Sequence, residues 1–286
     1  MLVVVKIGSS SVTTPRGEVN ETAIAKLCSE VAEQMGNGVQ VVVVTSGAIA
    51  AGIDAAGIDF GSAGRSEENR PTDLPTLQAI ASVGQPKLMR VYGQWLARYG
   101  LVLGQVLLTP LDFQDRRQYL HARRTVARLL ALGVVPIVNE NDVTADDEIR
   151  FGDNDRLAAL VAHMVGADLL VILTDTAGVF TADPRIGENA SLIEEVTEID
   201  HQLEQAAGGA GSAVGSGGMV SKLAAAKIAC WSGIRVVIAD AKKTGVLAGA
   251  VAGESGVGTI IYPKDRRLSS RKLWLAFAVA PAGSVT

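Results

Sequence analysis

Short apolar runs alternate with amphipathic stretches along most of the chain. The runs are rich in Val, Ile and Leu, and they lie at residues 2–7, 39–44, 102–107, 134–138, 169–173, 192–196, 235–239 and 258–262. Continuous apolar runs of this kind are typical of strands that are buried on both faces. We therefore expect a central sheet that is largely parallel.

Helical periodicity fills the intervals between the runs. After Asp155, apolar residues recur at Leu157, Leu160, Val161 and Met164, which is the spacing of one face of a helix. Further helices are predicted at residues 22–35, 79–99, 116–132 and 221–229, and near His201. Strands that alternate with helices in this way favour a three-layer α/β/α sandwich.

The same pattern suggests how the chain is divided. It restarts at Ala167, so we expect one domain over residues 1–264, with halves at 1–166 and 167–264. Residues 54–75 are polar and lack a period, and we interpret them as a surface flap. Residues 265–286 contain a new apolar run with little chain after it. Because a strand needs neighbours, we interpret this segment as a linker and the stub of a further domain.

Polar residues stand where several predicted strands end. The second strand runs into Thr45-Ser46-Gly47, and the strand at 169–173 runs into Thr174-Asp175. The carboxyl ends of parallel strands meet at one edge of a sheet, where ligands bind. Lys6 lies inside the first apolar run, and a buried lysine is costly unless its ammonium group meets an anion. The alternative is an edge lysine whose ammonium group reaches solvent.

Residues 139–155 carry two Asn/Asp clusters between a predicted strand and a predicted helix. Carboxylates bind ammonium groups and amides match either ammonium or carboxylate, so the segment suits a ligand that carries both groups. The alternative is that Asp153 or Asn154 only caps the helix and the remainder is a solvated turn.

A glycine-rich run at residues 207–218 leads directly into Ser221-Lys222 and a predicted helix. Such a loop offers backbone N–H groups and the positive end of the helix dipole to phosphate oxygens. The GxxxxGK[ST] spacing of a P-loop is absent, and a disordered linker is the alternative.

Composition limits the function classes. The net charge of −4 and the acidic pI of about 5.5 argue against a general nucleic-acid binder. Cys28 and Cys230 are far apart without CxxC spacing, so we expect reduced, buried thiols. The three histidines (His121, His163 and His201) form no metal-ligand pattern. The N-terminal run is too short for a signal peptide, and we see no membrane span, so we expect a cytoplasmic protein.

Taken together, the motifs resemble those of the glutamate 5-kinases of the amino-acid kinase family. The ordered set is Lys6-Ile7-Gly8-Ser9, Thr45-Ser46-Gly47-Ala48, Asn139-Glu140-Asn141-Asp142, Gly152-Asp153-Asn154-Asp155, Leu173-Thr174-Asp175 and Ser216-Gly217-Gly218-Met219-Val220-Ser221-Lys222. The resemblance covers about residues 1–262. The order of all six motifs makes it specific, which no single motif would.

The resemblance implies ATP-dependent phosphorylation of the side-chain carboxylate of L-glutamate, the first step towards proline. It implies that glutamate is held by Ser46, Gly47, Asn139, Asp142 and Asn154. It implies that ATP is held by Lys6, Gly8, Ser9, Thr174, Asp175, Phe180, Ser216, Gly217, Gly218, Met219 and Lys222. Lys6 and Lys222 would bracket the transferred phosphoryl group, and Asp155 would orient both ammonium groups.

The resemblance also implies partners. Mg²⁺ is expected mainly on the phosphates of ATP, with no protein ligand assigned to it. Proline is expected as a feedback inhibitor at the glutamate site, a dimer or tetramer as the assembly, and glutamyl-phosphate reductase as a downstream partner. We expect no membrane and no nucleic acid as partners of this chain.

Some positions depart from the family pattern. Ser216 and Ser221 stand where the family often has threonine, and Phe180 stands where tyrosine is common. Many family members continue into a small RNA-binding-like PUA domain, and this sequence ends about where that domain would begin.

Three alternatives remain open from sequence. One is another kinase of the same fold, such as acetylglutamate kinase, aspartokinase or uridylate kinase, and Asp142 argues against an acetylated substrate because a free α-amine needs a carboxylate. The second is a non-catalytic amino-acid sensor, which the presence of Lys6, Lys222 and Asp155 disfavours. The third is a dinucleotide-binding oxidoreductase, although no GxGxxG follows the first strand.

Overall fold

The fold is described from a computed structural model of the 286-residue chain. The structure describes residues 1–14, 18–55, 71, 73–145, 154–182, 190–208 and 218–264. Most of the predicted flap at residues 54–75, most of the glycine-rich loop and the C-terminal segment 265–286 lie outside the described residues. The two ends of the predicted flap are helical, so its bounds were wrong there.

Within the described residues, eight strands form one sheet. The strands are β1 (Leu2–Ile7), β2 (Gln40–Val44), β3 (Leu103–Leu108), β4 (Val135–Glu140), β5 (Leu169–Thr174), β6 (Glu195–Val196), β7 (Arg235–Asp240) and β8 (Thr259–Ile261). Their order is β3-β4-β2-β1-β5-β7-β8-β6. All pairs are parallel except β7 with β8, so the prediction of a largely parallel sheet is confirmed.

Ten helices connect these strands in the described part of the chain. They are α1 (Ser9–Val12), α2 (Glu21–Gly36), α3 (Ala48–Ala55), α4 (Leu74–Ala97), α5 (Pro110–Gln114), α6 (Arg116–Ala131), α7 (Asn154–Val165), α8 (His201–Gly208), α9 (Met219–Trp231) and α10 (Val246–Ala252). The described residues contain no helix that is long and apolar enough to cross a membrane.

The sheet is covered on both faces, which confirms the predicted three-layer sandwich. Alternate residues of β1 belong to different cores because successive side chains of a strand point to opposite faces. Val3 and Val5 pack with residues of α2, α4 and α10, whereas Val4 packs with residues of α6, α7 and α9. A strand buried on both faces must be apolar at every position, which explains the unbroken runs in the sequence.

The strands and long helices were predicted well, whereas the short elements were not. β6 has two residues rather than five, and Leu192 forms only an isolated bridge with Phe180. α4 begins at Leu74, earlier than predicted, because Asp73 caps it by accepting from the backbone N–H of Thr76. The short helices α1, α3, α5 and α10 were not predicted. Since one sheet runs through both predicted halves, the division near Ala167 stays a prediction.

Candidate functional site

The polar strand ends predicted from the sequence lie side by side at one edge of the sheet. β4, β2, β1 and β5 are consecutive in the sheet, and their carboxyl ends carry Asn139, Thr45, Lys6 and Thr174. β2 pairs with one side of β1, and the chain later crosses to the other side of β1, where β5 pairs with it. Such a switch point opens a crevice in which ligands of α/β proteins bind.

Three charged residues from distant parts of the chain meet at this crevice. The ammonium nitrogen of Lys6 lies 2.5 Å from Oδ1 of Asp155, and that of Lys222 lies 3.1 Å from Oδ2 of the same carboxylate. All three side chains are buried, with Asp155 0% exposed. The expectation that Lys6 finds an anion is therefore confirmed.

The pleat of β1 and the starts of two helices bring the three residues together. Lys6 is on the same face of β1 as Val4, which is the face covered by α7 and α9. Asp155 is in the first turn of α7, where the helix dipole favours a negative charge. Lys222 is in the first turn of α9, which packs against α7.

The electrostatics of this group suit an anionic ligand. The three side chains together carry a formal charge of +1 in a place nearly without solvent, where charge is costly unless it is paired. The amino ends of α7 and α9 also lie at this edge and present the positive ends of their dipoles. A phosphoryl group, with several negative oxygens, matches such a site.

Gly8 and Ser9 follow β1 at the turn into α1. A Cβ atom added to Gly8 would lie 3.4 Å from the ammonium nitrogen of Lys6, so the backbone passes close to this group. Ser9 begins α1 and is exposed. Gly8 therefore lies beside the lysine, and the assignment of Gly8 and Ser9 to ATP stays a prediction.

Ser46 and Gly47 form the turn between β2 and α3. Gly47 has φ of 99°, a conformation that side-chain-bearing residues rarely adopt. A Cβ atom there would also lie 2.9 Å from Cγ2 of Val12. Ser46 is half-buried at the same turn. Glycine is thus required for the tight exit of the chain from β2 into the crevice.

Asn139 and Asn154 are joined in one buried amide cluster. Nδ2 of Asn154 donates to Oδ1 of Asn139 at 2.7 Å and to the backbone oxygen of Thr45. Nδ2 of Asn139 donates to Oε1 of Gln85 at 2.8 Å. The cluster ties together the ends of β2 and β4 and the start of α7. The alternative that Asn154 is only a helix cap in a solvated turn does not describe this arrangement.

Asp142 lies in the turn that follows β4 and is half-buried. Backbone bonds from Thr144 and Ala145 to the carbonyl oxygen of Asn141 close this turn. The side chain of Gln78 on α4 donates to the carbonyl oxygen of Ala145 at 3.1 Å. The segment that carries Asp142 is therefore held close to the end of β4.

Further residues predicted to bind the nucleotide lie at the carboxyl end of β5, the strand next to β1. The hydroxyl group of Thr174, at the end of β5, donates to Oδ1 of Asp175 at 3.0 Å. Thr174 is buried and Asp175 is exposed. Phe180 is half-buried and pairs with Leu192. A local Thr–Asp turn and a nucleotide contact are both compatible with this geometry.

Part of the glycine-rich loop is described. Gly218 is the N-cap of α9 and Met219 is its first residue, one turn before Lys222. Ser216 and Gly217 lie outside the described residues. The loop thus enters α9 at the same end as the lysine.

Sequence reasoning missed three polar residues of α4. Gln78, Gln85 and Tyr92 lie on one face of this helix at intervals of seven residues and bond to segments of the crevice. Burial raises the pKa of Tyr92 well above its usual value, so its hydroxyl group stays protonated. Polar residues that recur at heptad spacing among apolar neighbours were the available signal.

The remaining titratable candidates do not belong to the site. Cys28 and Cys230 are free and buried, as predicted, and burial raises the pKa of each thiol to about 12. His163 bonds to Ser232, and burial lowers the pKa of its imidazole. Across the described ranges, no group of three or more His, Cys, Asp or Glu side chains is placed to hold a metal ion.

Comparisons with known proteins identify the family of the chain. The sequence profile of the amino acid kinase family matches residues 1–240. A glutamate 5-kinase of Moorella thermoacetica is 46% identical over 99% of this chain and 72% of its own length. A glutamate 5-kinase of Citrifermentans bemidjiense is 45% identical over 99% of this chain and 73% of its own length.

Two solved structures share the fold at low sequence identity. An isopentenyl phosphate kinase superposes with a TM-score of 0.64 and 19% identity, covering 91% of this chain and all of its own. An aspartate kinase from Synechocystis superposes with a TM-score of 0.59 and 20% identity, covering 94% of this chain and 41% of its own. With the family profile and the close relatives, the chain belongs to the amino acid kinase family and, within it, to the glutamate 5-kinases.

Proposed function

We propose that the chain transfers the γ-phosphoryl group of ATP to the side-chain carboxylate of L-glutamate, giving L-glutamyl 5-phosphate and ADP. The observation that carries the proposal is the convergence of Lys6 and Lys222 on the two oxygens of the buried Asp155. The named activity of relatives at about 45% identity over almost the whole chain supports the same substrate.

The chemistry needs cations rather than a general base. A glutamate side chain has a reference pKa of about 4.3, so the nucleophile is already ionised near neutral pH. One of its oxygens forms a bond to the γ-phosphorus of ATP, and the bond from that phosphorus to the β–γ bridging oxygen breaks. The obstacle is repulsion between the carboxylate and the triphosphate, which fixed positive charges relieve.

Lys6 and Lys222 supply those charges in the proposal. Their ammonium groups lie on either side of one carboxylate, so Asp155 fixes both positions before substrates arrive. Groups that are already in place need no reorganisation when charge develops in the transition state. Asp155 acts here as a positioning residue for the two lysines.

Glutamate is assigned to the side of the crevice formed by β2 and β4. Ser46, Gly47, Asn139, Asp142 and Asn154 all lie at these strand ends or at the adjoining start of α7. In the proposal, Asp142 pairs with the ammonium group of the substrate, since a carboxylate is the natural partner of a free amine.

ATP is assigned to the side formed by β5 and the start of α9. The proposed contacts are Lys6, Gly8, Ser9, Thr174, Asp175, Phe180, Ser216, Gly217, Gly218, Met219 and Lys222. Mg²⁺ is assigned to the phosphates of ATP, where it neutralises charge. This assignment fits the observation that both oxygens of Asp155 already face ammonium groups, so this carboxylate is not placed as a metal ligand.

Further elements of the proposal rest on family membership. They are a cytoplasmic location, a homo-oligomer, delivery of the acyl phosphate to glutamyl-phosphate reductase, and proline as a competitive inhibitor at the glutamate site. Loss of rate on adding proline at subsaturating glutamate is the expected result, and an unchanged rate would exclude the inhibitor.

An ADP-release assay tests the proposal directly. L-Glutamate should support rapid ADP release, whereas N-acetylglutamate and L-aspartate should support little. Hydroxylamine should convert the product of the L-glutamate reaction to a hydroxamate, because acyl phosphates react with it. ADP release that is independent of the amino acid, or that yields no hydroxamate, would contradict the assignment.

A further inference from the structure

Three polar side chains of α4 bond to segments that carry the proposed glutamate contacts. Gln78 donates to the carbonyl oxygen of Ala145 at 3.1 Å, Gln85 accepts from Asn139 at 2.8 Å, and the hydroxyl of Tyr92 lies 3.0 Å from that of Thr45. One helix face thus contacts the Asp142 turn, the end of β4 and the end of β2. It lies behind the amino-acid side of the crevice and not behind the nucleotide side.

α4 can reach these segments because it crosses α3 at backbone contact. A Cβ atom on Gly84 would lie 1.8 Å from the carbonyl oxygen of Ala48, and one on Gly52 would lie 2.0 Å from that of Ile80. Two glycines therefore allow the helices to touch. Gln85 follows Gly84 directly, so the crossing determines where its side chain lies.

Gln85 lies in the middle of a chain of side-chain amides that are hydrogen-bonded to one another. At one end of this chain, bonds to the backbone fix which side-chain atoms donate and which accept. The backbone N–H of Glu140 donates to Oδ1 of Asn139, and the carbonyl oxygen of Thr45 accepts from Nδ2 of Asn154. A backbone N–H can only donate and a carbonyl can only accept, so both asparagine orientations follow. Nδ2 of Asn139 must then face an acceptor, which Gln85 provides.

The hydrogen bonds along this chain of amides all run the same way, because each amide nitrogen donates to the oxygen of the next amide. Nε2 of Gln85 donates to Oε1 of Gln105 at 3.2 Å, and Gln105 is exposed on β3. Gln85 is itself only 8% exposed, so it connects a solvent-accessible amide to a buried pair. Both hydrogens of Nδ2 of Asn154 are used inside the chain, whereas no described residue donates to its Oδ1.

We propose that Gln85 is a positioning residue that orients Asn139 and Asn154 so that Asn154 offers its oxygen to the ammonium group of the amino-acid substrate. The inference rests on the proposed function and deepens it. Without the acceptor on Gln85, the buried Nδ2 of Asn139 loses its described partner, and leaving a buried donor unsatisfied is costly. Asn139 then turns towards another acceptor at the expense of its bonds to the Glu140 N–H and to Asn154, and Asn154 loses the partner that holds it. Loss of the acceptor on Gln85 should weaken the binding of glutamate and leave the binding of ATP unchanged.

The test compares Gln85→Met with Gln94→Met in the full chain. Methionine keeps the length of glutamine but offers no amide, and Gln94 is an exposed glutamine of the same helix. Gln85→Met should raise the KM for L-glutamate about tenfold, a size typical of removing one buried acceptor behind a binding group. Its KM for ATP and its kcat should stay within about twofold, and Gln94→Met should match wild type.

A variant that keeps a hydrogen-bond acceptor at position 85 should preserve the binding of L-glutamate. Gln85→Glu keeps an oxygen for Asn139, so its KM for L-glutamate should lie closer to wild type than that of Gln85→Met. If Gln85→Met does not fold, Gln85→Asn serves instead, because its shorter amide withdraws the acceptor without changing polarity. A KM for glutamate within about twofold of wild type in the variant that folds, or equal rises for glutamate and ATP, would overturn the inference.

Glutarate tests which substrate group is involved. It has both carboxylates of glutamate but no ammonium group, so its inhibition constant should change much less than the KM for glutamate in Gln85→Met. If Gln85→Met weakened the binding of glutarate and of glutamate equally, the proposal that Asn154 contacts the substrate ammonium group would be wrong. Wild-type protein without L-glutamate-dependent ADP release would instead contradict the proposed function, so the two failures are distinguishable.

Discussion

At the scale of single residues, Asp155 determines the arrangement of the site. A carboxylate that is 0% exposed is tolerated because an ammonium group lies against each of its oxygens. The sequence could predict that Lys6 meets an anion, since it lies inside an apolar run, whereas the shared role of Lys222 and Asp155 came from the family resemblance. The distances between these three side chains follow only from how α7 packs against β1 and α9.

Asp142 gives the first prediction at this scale. Asp142→Asn removes the negative charge that is proposed to face the substrate ammonium, while an amide of the same size remains. The KM for L-glutamate should rise more than about tenfold, as expected for losing a charge-assisted hydrogen bond, with a much smaller change in the KM for ATP. Steady-state kinetics with each substrate varied in turn measures both values.

The opposite side of the crevice provides the comparison for this variant. Asp175→Asn, at the end of β5, should spare the KM for glutamate. If Asp142→Asn weakened glutamate and ATP to the same extent, the assignment of Asp142 to the amino-acid side would be wrong.

The two cysteines give a prediction about pH. Burial raises the pKa of both thiols from 9.0 to about 12, so the folded chain keeps these protons where the unfolded chain loses them. Their contribution to stability is complete below pH 9 and is lost as the pH rises towards 12. Ellman's reagent at pH 8 should therefore label neither thiol of the native protein and both thiols in concentrated urea.

Rapid labelling of the native protein would contradict this account. Cys28→Ser and Cys230→Ser identify the thiol that reacts. The exposure of Cys28 and Cys230 is 1% and 4%, so a fast reaction would mean that α2 or α9 opens frequently.

At the scale of elements, α4 shows where sequence reasoning ends. Its helical period was visible, so the element was predicted, but its start, its interior Pro86 and its contacts were not. The role of α4 depends on crossing α3, and α3 was not predicted because it is short and follows the turn at Gly47. Glycine reads as a helix-weakening residue in a sequence, and only packing reveals that Gly52 and Gly84 permit backbone contact.

The helix crossing gives the prediction at this scale. Gly84→Ala places a methyl group on the carbonyl oxygen of Ala48, and the two helices must separate. Overpacking of this kind typically costs about 1–3 kcal/mol of unfolding free energy, and contact with backbone favours the upper end. Urea unfolding measures the loss, and the KM for glutamate should rise as well because Gln85 follows directly.

Gly36, where an added methyl group has open space around it, is the matched control. A Cβ atom on Gly36, the last residue of α2, would meet nothing within 4 Å, so Gly36→Ala should be neutral or slightly stabilising. Equal stability of Gly84→Ala and wild type would show that the crossing is looser than the structure indicates.

At the scale of the whole molecule, the sheet joins segments that are far apart in sequence. The fold class followed from the apolar runs, because strands buried on both faces leave an unmistakable pattern in α/β proteins. The order of the strands did not follow, since pairing across a parallel sheet is not local. The residues Gln85 and Tyr92 were missed for the same reason, as their partners lie at the ends of β4 and β2.

The site is likewise a property of the whole chain. Lys6 comes from the first strand and Lys222 from a helix near the other end, and they meet only because β1 and β5 are adjacent and α9 packs on α7. Folding therefore brings two buried ammonium groups to one carboxylate in a chain with a net charge of −4. This convergence is the central claim, because the proposed phosphoryl transfer depends on both ammonium groups.

The turnover of Lys222→Met tests that claim most directly. The partly buried Lys227 of the same helix pairs with Glu204, so Lys227→Met is the matched control. Under saturating ATP and L-glutamate, Lys222→Met should lose about 10² to 10³ in kcat, as should Lys6→Met, while Lys227→Met stays near wild type. A kcat for Lys222→Met close to that of wild type would contradict the account.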